Sequence, residues 1–362
     1  MRPLLRSAVG LIAGALIVTA VPSAAYAAPD DLSGNWLERQ LTDGLIHNDQ
    51  FDFDDYGLTA DTALALAAIG GRRGTVREIR TALAQRVDSW TTGVDFGSDD
   101  VYAGSTAKAV VVAQTTGADP RGFGNVDLVR RLNDRVSSTT PIVGRIEDRS
   151  ETDFANTIGQ AFAAQGLSVA RSGRADAVVR FLLKQQCSRG FFRLNFADKA
   201  AADQTCDGGD KATSSPDTDV TALAVLSLRA LPRKTAKVRS ALIDAVSWLK
   251  RRQQDNGSFG GGTATKASNA NSTGLAGWAL GESGACESAA KAAQWVRKRQ
   301  VSGDVSGTPL AGEKGAIAYD RDRFAAGQAE GIGTADRDQW RRATSQAAPA
   351  LSYLSVAACR NN

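Results

Sequence analysis

The chain has 362 residues, of which 43 are Lys or Arg, 39 are Asp or Glu, and only one, His47, is histidine. This near balance of charge offers no clustered basic excess, so we expect no nucleic-acid partner. A single histidine also excludes metal sites that need several imidazoles, and we expect neither a metal nor a cofactor. The content of 43% hydrophobic and 23% charged residues is ordinary for a globular protein.

The first 27 residues predict a secretory signal peptide and not part of the fold. A positively charged start precedes a short apolar run over residues 8–21, and Ala25-Tyr26-Ala27 offers a small-residue cleavage site. The run is short for a membrane span of roughly 20 residues. We therefore expect a secreted mature chain, residues 28–362, that forms a single domain and has no membrane span after cleavage.

Six Ala-rich apolar segments, most of them opened by Asp, Ser, Thr or Asn and closed by Gly, predict buried helices. They are residues 58–70, 104–117, 151–166, 217–231, 271–284 and, in a degenerate copy, 316–329. Longer amphipathic stretches alternate with them and predict exposed helices that cover the buried ones. These stretches are residues 31–46, 76–90, 126–136, 175–186, 236–254, 288–300 and 337–354.

The alternation of buried and exposed helices predicts the fold class. A period of about 46–66 residues is typical of arrays in which each helix pair buries its apolar face against its neighbours. The expected fold is therefore all-α, with six inner–outer helix pairs closed into an α/α toroid. An open superhelix is the structural alternative, but inner helices this apolar need cover on more than one face.

The four cysteines predict two disulfides, because an even number of cysteines in an exported chain favours oxidation. Three pairings are possible. We favour Cys187 with Cys206, which bracket one loop, and Cys286 with Cys359, which lie in segments expected to be neighbours.

Two outer-helix ends carry a shared pattern of an aromatic residue, Leu, Gln-Gln, Gly and a second aromatic residue. They are residues 181–192, Phe-Leu-Leu-Lys-Gln-Gln-Cys-Ser-Arg-Gly-Phe-Phe, and residues 248–259, Trp-Leu-Lys-Arg-Arg-Gln-Gln-Asp-Asn-Gly-Ser-Phe. The pattern resembles the squalene cyclase-like repeat of the terpenoid cyclase and protein prenyltransferase superfamily, over about residues 31–356. The resemblance implies a toroid in which Gln completes the outer-helix end, Gly takes the turn and the aromatic residue packs on the next inner helix.

Two activities of that superfamily disagree with the residues present. Its prenyltransferases bind zinc through Asp, Cys and His, whereas here the single histidine precedes the first repeat and the cysteines are expected to be oxidised. Its thioester proteins carry Cys-Gly-Glu-Gln, and the nearest string, Cys286-Glu287-Ser288, lacks both Gly and Gln.

A third activity, class II terpene cyclisation, has a literal match. Such cyclases carry Asp-x-Asp-Asp, and residues 52–55 read Asp-Phe-Asp-Asp. By resemblance Asp54 would protonate an alkene or epoxide, since burial and neighbouring carboxylates keep an acid protonated. In the family the motif runs directly into the Thr-Ala of an inner helix, whereas here Asp61-Thr62-Ala63 follows some seven residues later. Aromatic residues are only 6% of the chain, so few ring faces are available to stabilise carbocations.

The N-terminal ends of the inner helices are expected to meet at one rim, which becomes the candidate ligand site. Its polar residues are Asp54, Asp55, Tyr56, Asp61, Asp153, Asn156, Asp219 and Asn271. For Asp61, Asp153 and Asp219 the pattern favours helix caps over catalytic carboxylates.

These observations favour a secreted, non-catalytic toroid that binds a small polar ligand or an extracellular surface polymer. The alternative is an enzyme on the same ring. It would be either a class II cyclase with Asp54 as the proton donor or an enzyme that cleaves polysaccharide with two carboxylates.

Overall fold

The computed structural model describes residues 28–208 and 213–361, and the signal-peptide prediction for residues 1–27 lies outside this part of the chain. The described chain is mostly helical. Its α-helices are α1 Pro29–Glu38, α2 Tyr56–Ile69, α3 Arg73–Gln85, α4 Val87–Thr91, α5 Ala103–Thr115, α6 Leu128–Asn133, α7 Thr157–Val169, α8 Ala175–Lys184, α9 Thr218–Arg229, α10 Ala236–Arg252, α11 Ala270–Glu282, α12 Cys286–Arg297, α13 Arg321–Glu330, α14 Thr334–Ala347 and α15 Val356–Asn361. Short 3-10 helices occupy Val94–Phe96 and Ala348–Tyr353.

Three short antiparallel strands follow α1, in the order β1 Leu41–Thr42, β2 Leu45–Asn48 and β3 Phe53–Asp54. The prediction of a helix over residues 31–46 is therefore wrong beyond Glu38. Asp43 and Gly44 both have positive φ, at 50° and 78°, so the chain turns back on itself here instead of continuing as a helix.

Six helices, which we call the inner helices, are rich in buried residues: α2, α5, α7, α9, α11 and α14. The first five agree with the first five segments predicted to be buried helices. Each inner helix contacts the next in chain order, and α14 contacts α2 as well as α11. Their small side chains allow close approach. A Cβ on Gly159 would lie 2.9 Å from the Cα of Gly104 on the neighbouring helix, which leaves room only for glycine.

The sixth inner helix was predicted wrongly. Residues 316–329 were expected to be buried, but the helix in that region, α13, buries only Gly327. The inner position is taken by α14, which lies in the stretch 337–354 expected to be exposed. Its arginines belong to ion pairs and hydrogen bonds with the first repeat, such as the bond from Arg341 Nη1 to the carbonyl of His47 at 2.6 Å.

The outer helices α3, α6, α8, α10 and α12 each pack against the inner helix that precedes them in the chain. Helix α1 contacts α2 and α14 and is joined to the last repeat. Trp36 on α1 is fully buried, and its Nε1 donates to Glu313 Oε2 at 2.7 Å. The Ser33 hydroxyl donates to the carbonyl of Gly315 at 2.8 Å. The two ends of the described chain therefore pack against each other.

The glutamines at the outer-helix ends make the contacts that the repeat pattern implies. Gln253 Nε2 donates to the carbonyls of Gly257 at 3.0 Å and Ser288 at 2.9 Å, which joins its own turn to the next outer helix. Gln186 does the same with Gly190 and Ala241, at 2.9 Å each.

Both favoured disulfides are present, with Cα–Cα distances of 4.8 Å for Cys187–Cys206 and 5.4 Å for Cys286–Cys359. The preferred pairing is confirmed. Within residues 28–208 and 213–361, no helix is both long and apolar enough to cross a membrane.

The contact between α1 and the last repeat gives the first prediction. Replacing the fully buried Trp36 by Ala should lower the free energy of unfolding by roughly 3–5 kcal/mol, because a large buried ring and its packing are lost. Phe96→Ala is the control, since Phe96 is 84% exposed and its loss should change stability by no more than about 0.5 kcal/mol. Urea unfolding measures both values, and equal effects for the two variants would contradict the packing described for α1.

Candidate functional site

A recurring hydrogen bond fixes how the inner helices are rotated. In five of them a side chain accepts the backbone N–H of the residue that ends the preceding turn. The pairs are Thr59 with Ile46 at 2.9 Å, Gln160 with Ile146 at 3.0 Å, Thr221 with Phe192 at 3.0 Å, Thr273 with Phe259 at 2.9 Å and Thr344 with Ile317 at 2.9 Å. Residues two apart on a helix point about 200° away from each other. The residues two before and two after each acceptor therefore point away from the turns.

A cavity of about 380 Å³ lies where these residues converge, and we call it the central cavity. It is lined by residues of all six inner helices, among them each residue two positions after a recurring acceptor: Asp61, Phe162, Leu223, Leu275 and Gln346. Its walls are largely apolar and include Leu64, Val111 and Trp278. At the C-terminal ends of the inner helices Thr115, Arg229 and Glu282 are exposed and form its mouth.

The opposite end of the central cavity is polar. Lys108 Nζ and Asp61 Oδ1 form an ion pair at 2.6 Å, and Asn271 Nδ2 donates to Gln346 Oε1 at 2.8 Å. Asp219 lies one helical turn beyond Leu223 on the same face of α9, since the two are four residues apart. The Asp219 carboxyl therefore lies about one helical turn beyond the apolar wall of the central cavity.

The environment of Asp219 favours its protonated form. Burial raises the pKa of this carboxyl to about 6, the nearby Ser272 hydroxyl lowers it in part, and the negative charge of Asp217 raises it further. Asp219 Oδ1, Asn271 Oδ1 and Ser272 Oγ are buried atoms without a hydrogen-bond partner. Ser272 thus lies beside the carboxyl without meeting hydrogen-bond geometry. A protonated Asp219 would reduce the number of unsatisfied buried acceptors.

The segment Gly260–Gly262 covers this carboxyl pair closely. A Cβ on Gly261 would lie 2.9 Å from both Asp219 Oδ2 and Ser272 Oγ, and one on Gly262 would lie 2.2 Å from Asp217 Oδ2. Only glycine allows the backbone to approach so near. We call Asp217, Asp219, Asn271, Ser272 and this glycine segment the acid site.

Asp217 caps α9 and sets the position of its first turn. Its Oδ1 accepts the backbone N–H groups of Asp219 at 2.9 Å and Val220 at 3.1 Å. Burial raises its pKa above the ordinary value, and these backbone hydrogen bonds oppose the rise.

Asp219 was expected on the rim, and the residues around it carry a further signal. Residues 217–222 read Asp-Thr-Asp-Val-Thr-Ala, which resembles Asp-x-Asp-Asp running directly into Thr-Ala, with Val220 in place of the last Asp.

The other rim residues lie in several different environments. Asp54 is on β3, its side chain is 34% exposed, and its Oδ1 lies 3.0 Å from His47 Nδ1. The structure places neither Asp54 nor Tyr56 in the lining of the central cavity. Asp153 is held by Arg145 and Lys199 at 3.0 Å each.

The interpretation of Asp61, Asp153 and Asp219 as helix caps is wrong. The caps are instead Asp55 for α2, Asn156 for α7, Asp217 for α9 and Asn269 for α11. Asp61 lies in the second turn of α2, because that helix begins at Tyr56 and not near residue 61. Asn271 lies inside α11 and faces Gln346.

No group of three or more His, Cys, Asp or Glu side chains among the described residues is arranged to hold a metal ion. The acid site itself supplies carboxyl, amide and hydroxyl groups, so Asp219 can donate a proton and its neighbours can form hydrogen bonds.

The raised pKa of Asp219 gives the second prediction. The folded state holds this proton more tightly than the unfolded state, whose Asp pKa is near 3.8. The contribution of this proton to the free energy of unfolding should be fully present below about pH 4. It should be lost, by up to about 3 kcal/mol, as the pH rises through 6. Asp219→Asn should remove this loss, so the variant should be more stable than the wild type at pH 7.5 and similar to it at pH 4.

Urea unfolding at both pH values measures this difference, with the exposed Asp244→Asn as the control. An Asp219→Asn effect of the same size and sign at pH 4 and pH 7.5 would show that the carboxyl is not held protonated.

The fold is shared with enzymes of two kinds. The type II terpene cyclase MstE from Scytonema matches with a TM-score of 0.61 and 16% identity, over 90% of this chain and 96% of that one. The unsaturated glucuronyl hydrolase from Bacillus sp. GL1, which is described as responsible for the degradation of glycosaminoglycan, matches with a TM-score of 0.56 and 10% identity, over 90% and 95%. The ent-copalyl diphosphate synthase from Streptomyces platensis matches at 0.53 and 16%, over 83% and 50%.

No protein-family model matches this chain, and no curated protein sequence does. The structural likenesses lie below 25% identity and so establish the fold alone. The described chain is mostly helical and shares its fold with α/α-toroid enzymes, among them terpene cyclases and glycosidases.

Proposed function

We propose that this protein is a secreted enzyme that protonates an apolar, isoprenoid-like substrate in the central cavity, with Asp219 as the acid. One observation carries the proposal: a carboxyl whose pKa is raised to about 6 lies one turn beyond the apolar wall of a cavity of about 380 Å³. A general acid works best when its pKa lies near the working pH. The volume is at the small-molecule end of the usual range for ligand pockets.

A closed ring of six inner and six outer helices is part of this proposal. Support comes from the contact of α14 with α2 and from the packing of α1 against the last repeat. In such a ring α1 is the sixth outer helix. Closure would keep water out of the chamber, which a carbocation intermediate requires.

The chemistry needs only groups that the chain supplies. Asp219 gives its proton to one carbon of a carbon–carbon double bond, and the other carbon becomes a cation. The ring faces of Trp278 and Phe162, both in the lining of the central cavity, can stabilise that cation. Attack by a second double bond closes a ring, and loss of a proton from carbon gives a neutral product and restores the proton count.

The geometry favours this activity over polysaccharide cleavage. A hydrolysing pair of carboxylates stands about 5–9.5 Å apart. Glu282 at the mouth lies about three turns further along α11 than Asn271 at the acid site, or roughly 16 Å. Asp61, also in the lining of the central cavity, is paired with Lys108. The comparisons support catalysis on this fold better than a purely binding role.

Secretion remains part of the proposal. The signal-peptide pattern of residues 1–27 and the two disulfides of the described chain support it.

The third prediction tests the acid directly. Purified residues 28–362 are incubated with linear C15 and C20 isoprenoid alcohols and hydrocarbons, and cyclic products are detected by gas chromatography and mass spectrometry. Asp219→Asn should lower turnover by at least about 100-fold, because the proton donor is lost. Wild-type turnover should fall as the pH rises above about 6, since only the protonated acid reacts.

Asp54→Asn is the matched control and should keep wild-type turnover. If the Asp54 variant loses activity and the Asp219 variant keeps it, the acid is Asp54 on β3 and not Asp219. Binding of these molecules without any turnover would contradict catalysis and favour a ligand-binding protein.

A further inference from the structure

A second feature lies outside the acid site, on the loops that precede three neighbouring inner helices. Phe51 and Phe53 precede α2, Phe96 precedes α5 and Phe154 precedes α7, and they are 68%, 46%, 84% and 73% exposed. We call these four residues the aromatic rim. Large apolar side chains that are exposed together are typical of interaction surfaces, because burial would otherwise be favoured.

The loops that carry the aromatic rim are bound to one another. Val101 N donates to the carbonyl of Arg149 at 2.8 Å, and Arg149 N returns a bond to Val101 at 2.9 Å. Asp148 accepts the backbone N–H groups of Ala103 at 2.6 Å and Phe154 at 2.9 Å, which holds the third loop against the start of α5.

The first loop lies near the second at Tyr56. Burial raises the pKa of Tyr56, at the end of the hairpin, and the nearby charges of Asp54 and Asp95 add to that rise. Ser89 Oγ donates to Asp95 Oδ1 at 3.0 Å. The second and third loops are therefore hydrogen-bonded to each other, and the first loop lies near the second at Tyr56.

The same loops are strongly acidic. Residues 49–56, 92–102 and 147–154 contain eleven Asp and Glu residues and a single Lys or Arg, which is Arg149. The carboxylates nearest the helices have cationic partners from other elements: Asp49 with Arg341, Asp55 with Arg342, Asp153 with Arg145 and Glu147 with Lys199.

The outward carboxylates differ from these inner ones. Among the described residues, Asp95 and Glu151 have no ion-pair partner, and Asp52 has only His47, at 3.3 Å. The surface that carries the phenylalanines is therefore negative on its solvent side. It would repel anionic lipid and nucleic acid.

We propose that the aromatic rim docks a polypeptide segment rich in arginine. A guanidinium group can lie on the face of a phenylalanine ring and pair with a neighbouring carboxylate at the same time. The alternation Phe51-Asp52-Phe53-Asp54 offers both contacts within one short stretch of chain. Association through such a surface is steered by charge, so it weakens as salt rises. This surface is separate from the central cavity and does not depend on the proposed catalysis.

The fourth prediction uses a fluorescent peptide of six Arg-Ala repeats, with a Glu-Ala peptide of equal length as the opposite-charge control. Fluorescence anisotropy should show saturable binding of the Arg-Ala peptide alone. The triple variant Phe51→Ala/Phe96→Ala/Phe154→Ala should bind it at least about tenfold more weakly, because the ring faces are lost at unchanged net charge. The triple variant Asp52→Asn/Asp95→Asn/Glu151→Gln should also lose most of the salt dependence.

The matched control is Ile243→Ala/Asp244→Asn on α10, which removes one exposed apolar and one exposed acidic side chain elsewhere and should bind like the wild type. Thermal unfolding confirms that every variant is folded. Three outcomes would overturn the proposal. The first is no binding at millimolar peptide. The second is equal binding by the phenylalanine variant, which would show charge attraction alone. The third is tighter binding of a glucosamine hexamer than of the peptide, which would assign the surface to an amino-sugar polymer.

Discussion

The recurring hydrogen bond from a turn to an inner-helix side chain is the interaction on which the rest of this structure depends. Thr221, for example, accepts the N–H of Phe192 and so fixes the rotation of α9 relative to the turn outside it. The residues two positions away then face inward, which places Asp219 and Leu223 on the inner face. The same bond recurs on four other inner helices. It therefore orients the residues that form both the apolar wall and the polar end of the central cavity.

Much of the fold could be predicted from the sequence because its information is local. Five inner helices carry Ala-rich runs between capping residues, and the Gln and Gly of the turns mark the outer-helix ends. The sixth inner helix escaped prediction because α14 carries Arg337, Arg341 and Arg342, which are typical of an exposed helix. The partners of Arg341 and Arg342, Asp49 and Asp55, lie nearly 300 residues away in the first repeat, and Arg337 pairs with Glu313 in the loop before α13. Local periodicity contains no information about such contacts.

The candidate site was predictable in part. The rim prediction included Asp61, which lines the central cavity, and Asp219 and Asn271, which belong to the acid site. The literal Asp-x-Asp-Asp match at residues 52–55 drew attention to Asp54, although residues 217–222 read Asp-x-Asp, then Val220, then Thr-Ala. The contact of Gly260–Gly262 with the acid site could not be predicted either. A run of glycines indicates a close backbone approach only when the side chains it approaches, here Asp217 and Asp219, are known.

The interior of the fold raises the pKa of Asp219 so that the carboxyl keeps its proton up to about pH 6, because burial of the carboxyl outweighs the opposing effect of Ser272. The most direct measurement is a carbon-13 NMR titration of the Asp side-chain carboxyl groups, with the Asp219 signal assigned by comparison with Asp219→Asn. The account predicts a pKa of about 6 for this signal. A value close to 4, the ordinary value of an exposed aspartic acid, would contradict it.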